Sequence, residues 1–150
     1  MAFDQTKDVL EHVREFHHKL SILYNNLKKS ASEASAQALL DYMSQHEKNL
    51  ADRLAQYEEQ VSDNVLDTYF KYESESNGLA SIDNFEIKPE MDVDHVVAIA
   101  MHFDASLATF YQEMAQRALS EKVREIFENL QEMERHEQIE LSKQTLDIRS

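Results

Sequence analysis

Four long amphipathic helical segments, one polar interruption of about 30 residues and a near absence of turn residues predict an all-α fold. The expected architecture is a four-helix bundle with one long crossover between helices two and three. With 150 residues the chain suits a single domain spanning 1–150. One Gly, one Pro and no Trp argue against β-sandwiches, which need frequent turns.

The first helix is expected over about residues 4–29, with Leu10, Val13, Leu20, Tyr24 and Leu27 on one face and Lys28 and Lys29 favourably placed at its end. Ser30 and Glu33 have the spacing of a capping box, so a second helix should follow at once, over about residues 31–61. Its inner residues are Leu40, Met43, Leu50, Leu54 and Tyr57. So short a join makes the first two helices antiparallel.

Residues 62–92 are rich in Ser, Asp and Asn and hold the chain's Gly78 and Pro89. A short helix over Val65–Tyr72 is expected within them. A connector of this length can cross the whole bundle, so that helices two and three run parallel. The third helix is expected from Asp92 or Asp94, over about residues 93–117, with Val97, Ala100, Leu107, Tyr111 and Met114 inward. Ser120 is placed to cap the fourth, over about residues 121–146, whose inner stripe includes Val123, Phe127, Leu130 and Leu141.

The two hairpins repeat each other at an offset of 87 residues. Phe16 matches Phe103, Leu20 matches Leu107, Tyr24 matches Tyr111, Leu40 matches Phe127 and Leu54 matches Leu141. The same offset relates His17 to Asp104 and Glu47 to Glu134. These last four interrupt otherwise apolar stripes near the middle of each helix, and Glu137 follows Glu134 one turn on.

Unpaired carboxylates in an apolar core each cost several kcal/mol, or take up a proton. Two divalent cations would offset the charges of Glu47, Asp104, Glu134 and Glu137, with His17 as a neutral ligand. Carboxylate and imidazole donors suit iron or manganese, and zinc is an alternative. The competing reading places these acids at helix edges, in water or paired with Lys and Arg. His12, His18, His46, His95, His102 and His136 fall off the inner stripes and read as surface or boundary residues. A modest helix rotation would recruit His46 or His136.

This pattern resembles the ferritin-like family that includes rubrerythrins and bacterioferritins, whose di-iron sites use a Glu on helices one and three and Glu-x-x-His on helices two and four. Tyr24 and Tyr111, seven residues after the first ligand position of each hairpin, are also similar to the family. The chain departs from the pattern at His17 and Asp104, where the family has Glu, and at Leu50 and Glu137, where it has His. The departures leave open an asymmetric dinuclear site, a mononuclear site or a fold that has lost its metal.

The resemblance implies a ferritin-like fold and a non-haem di-iron or manganese site reacting with dioxygen or peroxide, hence oxidoreductase chemistry. With no cysteine, the chain has no rubredoxin-like site, so electrons would come from an external donor. The alternative is a metal-free acidic bundle serving as a binding or regulatory module.

A net charge of −14, without a Lys/Arg cluster, argues against nucleic acid. No apolar run is long enough to span a bilayer, and the polar N-terminus shows no signal peptide, so no membrane partner and a cytoplasmic location are expected. A homodimer is the expectation from symmetry statistics.

Overall fold

The computed structural model describes residues 2–73, 79, 82, 85 and 90–149. It is a helical bundle with a small antiparallel ribbon at one end. The elements are β1 (Ala2–Gln5), α1 (Thr6–Leu27), α2 (Ala34–Gln60), the short α3 (Asp63–Leu66), β2 (Tyr69–Glu73), α4 (Val93–Arg117) and α5 (Glu121–Arg149). A 3₁₀ turn at Lys28–Ser30 joins α1 to α2. α1 packs on α2, α4 packs on α5, and the two hairpins share one core in which Phe16 of α1 meets Phe103 of α4 edge-on at 6.0 Å.

The caps explain the boundaries. The backbone N–H of Gln5 donates to Asp8 Oδ2 at 3.0 Å, opening α1 two residues later than the pattern indicates, because Ala2–Gln5 pairs with Tyr69–Glu73. Of the two expected starts, Asp92 is the one that caps α4, accepting from the His95 N–H at 2.9 Å. Ser120 also behaves as expected, accepting from the Val123 N–H at 3.2 Å.

The Ser30–Glu33 capping box does not form. Ser30 continues α1 as part of the 3₁₀ turn, and its carbonyl accepts from the Met91 N–H at 2.8 Å. α2 therefore begins only at Ala34, with Glu33 at the N-cap and no side-chain cap bond. α5 runs three residues past Leu146, to Arg149.

Between α2 and α4 the expected helix over Val65–Tyr72 divides. Only Asp63–Leu66 is helical, and Tyr69–Glu73 is extended because it finds a strand partner in β1. Gly78 and Pro89 lie outside the described residues. The crossover itself is secured at its far end, where Met91 forms a parallel bridge with Ala31. That bridge sets the starts of α2 and α4 side by side, so the two helices run in the same direction. Glu90, just before it, takes a left-handed φ of 57°, a conformation uncommon for a residue with a Cβ.

The duplication is visible in the backbone. α4 begins 87 residues after α1, and α5 begins 87 residues after α2. Val9 and Val96, Phe16 and Phe103, Leu23 and Phe110, and Tyr24 and Tyr111 are buried in matching pairs. Val97 and Leu141 are exceptions, Leu141 being only partly buried where Leu54 is 1% exposed. Val96 occupies the core and leaves Val97 only partly covered, although Leu10 at the corresponding position is fully buried.

Candidate functional site

Matched helix starts place the polar residues at matched heights. His17 is the eleventh residue after Thr6 and Asp104 the eleventh after Val93. Glu47 is the thirteenth after Ala34 and Glu134 the thirteenth after Glu121. All four meet inside the bundle. His17 is fully buried, and Glu47 and Glu134 are 5% and 2% exposed. Asp104 is partly buried, because Phe103 takes the deepest position on its turn. Glu137 is buried as well, so α5 turns Glu134 inward and leaves Met133 at the margin.

The side chains form three pairings. His17 Nδ1 lies 2.5 Å from Glu47 Oε2. Asp104 and Glu134 share a hydrogen bond between their carboxyl groups, which requires a proton on one of them. Burial raises Asp104 to about 6, with the charge of Glu47 adding to the rise, while the hydrogen bond from Glu134 and the charges of His17 and His46 oppose it. Burial, reinforced by the Asp104 charge, drives Glu134 well above the usual carboxylate range. Of the two, Glu134 is the carboxyl that burial and the Asp104 charge favour to hold the shared proton.

The third pairing was hidden in the sequence. His46, assigned there to the boundary, places Nε2 2.5 Å from Glu137 Oε2 and stacks flat on Tyr42 with ring centres 5.5 Å apart. Arg53 reaches the other oxygen of Glu137 at 3.3 Å. Burial alone would raise Glu137, but the hydrogen bond and charge of His46, helped by Arg53, hold it below its ordinary value. Burial alone would lower His46, yet Glu137 raises it. Apolar periodicity overlooks His46 because it is a polar side chain at the margin of the stripe, still 22% exposed; its position next to Glu47 was the available signal.

Some buried atoms have no partner. His17 Nε2, Glu134 Oε2 and the Tyr111 hydroxyl lack a hydrogen bond, although most such groups in folded proteins are satisfied. Tyr24 and Tyr111 hold their protons far above the usual phenol range, through burial first and then the nearby carboxylates. A void of about 20 Å³ lies among Tyr24, Met43, His46, Glu47, Asp104 and Glu134. That is room for one water-sized sphere.

Among the described residues, no three His, Asp or Glu side chains are gathered in a metal-binding arrangement as they stand. The pairings give the reason: each carboxyl turns toward an imidazole, a guanidinium or another carboxyl. The donor set nevertheless fits a metal, since buried oxygen and imidazole atoms are left over and one sphere of space lies among the acids. Leu50, 2% exposed, lines the same void where the resemblance calls for His, and it offers no donor.

His12 is partly buried at the margin, and His18, His95, His102 and His136 are exposed. None of the described helices is long and apolar enough to cross a membrane. Compared with family models, curated proteins and solved structures, the chain matches none.

Proposed function

We propose that the chain is a ferritin-like bundle that binds a metal ion in its buried acidic layer, iron or manganese being best suited to the donors. One observation carries this reading: four helices bring ionisable groups to one level, and two of those groups, His17 and Glu134, retain unpartnered buried atoms. His17, Asp104 and Glu134 would hold the ion. Glu47 can join them, or orient the His17 ring through its Nδ1 contact, as carboxylates do beside metal-bound imidazoles. Glu137 would hold a second ion only by releasing His46 and Arg53, so one cation per chain is the favoured stoichiometry.

When bound, iron or manganese would supply the redox and Lewis-acid chemistry of an oxidoreductase acting on dioxygen or peroxide. The residues' own part is to exclude bulk water and to release the proton held on Glu134 as the cation arrives. Tyr24 and Tyr111, protonated at all ordinary pH values, would be available to donate a hydrogen bond at the edge of the layer.

A second reading rests on the satisfied state of Glu137. If the three pairings are the finished arrangement, the bundle is metal-free and acts as a binding or regulatory module. Metal analysis after expression in iron-supplemented medium separates the two, together with melting with and without chelator. Metal at about a hundred times its Kd should stabilise the native state by about 2.7 kcal/mol, or roughly 5–10 °C for a chain of this size. Glu134→Ala should abolish that shift. Metal below about one per five chains, with melting indifferent to iron, manganese and chelator, would establish the metal-free reading.

A further inference from the structure

The duplication makes the two hairpins controls for each other, and in one place they differ sharply. In the first hairpin, Arg14 of α1 donates to Glu58 of α2 at 3.0 Å, bridging the two helices, and Leu10 and Leu54 are buried. Val65 and Leu66, just after α2, pack on the same core. At the corresponding positions of the second hairpin, 87 residues on, Arg14 and Glu58 become Met101 and Thr145. No ion pair can form between them. A groove of about 520 Å³ opens between α4 and α5, lined by Val97, Met101, Ala105, Leu141 and Leu146.

The walls are more apolar than the sequence implies. Ser142 and Thr145 donate their hydroxyls to the carbonyls of Gln138 and Leu141 in their own helix, at 3.1 and 2.9 Å. Met101 and Leu146 stay 62% and 69% exposed at the mouth. Asp104 is the single carboxyl among the lining residues, and it also borders the void of the acidic layer. The groove thus has the volume of a small-molecule site, an apolar body and one acidic end.

We propose that this groove binds an apolar small molecule carrying a protonated amine, with the amine donating to Asp104 and the hydrocarbon lying along Met101, Leu141 and Leu146. Charge complementarity selects this occupant. An anionic amphiphile would bring a second negative charge to Asp104 in a chain already at −14. A second copy of the chain would have to bring a cation to Asp104, which an apolar helix face does not supply. The proposal shares Asp104 with the metal reading but requires no bound ion, so it is tested without added metal.

The test is calorimetric titration of the full chain with octylamine, octanol and octanoate at equal ionic strength. Octylamine should bind at least about tenfold more tightly than octanoate, and Asp104→Asn should bring amine and alcohol to within about twofold. The double variant Met101→Arg with Thr145→Glu rebuilds the ion pair of the first hairpin. It should weaken octylamine about tenfold or more with the helical circular dichroism unchanged. In the unsubstituted protein, methyl resonances of Met101, Ala105 and Leu141 should shift together on titration, a readout that survives if a variant fails to fold. Equal affinity for all three probes, shifts elsewhere in the chain, or self-association that buries Met101 and Leu146 would overturn the proposal.

Discussion

Replacing Asp104 by Asn should make the metal-free protein more stable at alkaline pH, against the usual effect of altering a buried hydrogen-bonded residue. Asp104 titrates at about 6 in the folded chain because it is buried beside Glu47, against an ordinary value of 3.8. Its folded value lies above its unfolded one, so the folded state binds the extra proton. The resulting penalty is absent well below the unfolded value, grows as pH rises toward about 6, and is constant beyond. A rise from 3.8 to about 6 corresponds to about 3 kcal/mol, and partial solvent contact at the groove reduces this to roughly 2 kcal/mol.

Asn keeps the shape and a hydrogen bond while removing the charge. It also removes the charge that helps push Glu134 upward. Melting near pH 8 should therefore rise by roughly 4–8 °C for a chain of this size. Near pH 4 the gain should shrink to about a degree or two, because most of the penalty is absent there. Thermal unfolding followed by circular dichroism with chelator present measures both. A loss of stability of similar size at the two pH values would refute the reasoning, since it would mean that Asp104 is ionised at no net cost.

Three further outcomes follow from the same geometry. His46→Ala should destabilise by about 1 kcal/mol, most strongly between roughly pH 4.5 and 6.5, where Glu137 is charged and His46 protonated. The His46 share fades as pH rises through its raised folded value, and the Glu137 share as pH falls through its lowered one; a pH-independent loss in melting profiles would contradict this. Leu50→His supplies a donor beside the void, so it should lower melting in chelator yet enlarge the shift on adding iron or manganese, read by differential scanning calorimetry. Phe103→Ala should cost about 3–5 kcal/mol in denaturant unfolding, while Met101→Ala, at an exposed position, should stay within about 0.5 kcal/mol.

Much of the bundle was legible because burial in a helix leaves a period of 3.6, but a single stripe of three-and-four spacing omits the neighbouring buried row, with Val9, Leu23, Leu39, Val96, Phe103 and Phe110. His17, Glu47, Glu134 and Glu137 were found for the same reason: each breaks an apolar stripe and is buried. Asp104 was located correctly along the helix, but its depth depends on Phe103, and one helical position cannot settle which of two neighbours faces the core. The expected Ser30–Glu33 cap failed, and the strands escaped, because both depend on partners far away in sequence, Met91 for Ser30 and β2 for β1. The pairing of His46 and Arg53 with Glu137 escaped because a polar side chain that reaches inward from the margin of a helix has no apolar periodicity to betray it.

The bridge between Ala31 and Met91 sets the phase of everything downstream of it. With that anchor held, one residue inserted after Asp92 would advance α4 by a third of a turn, about 100°. Phe103 would then arrive at the place of Asp104, and His102 at the place of Phe103. A benzyl ring would enter the acid layer and an imidazole the hydrocarbon interior, although no residue in either had been substituted. Spacing at this joint should consequently tolerate less change than most side chains along α4 itself.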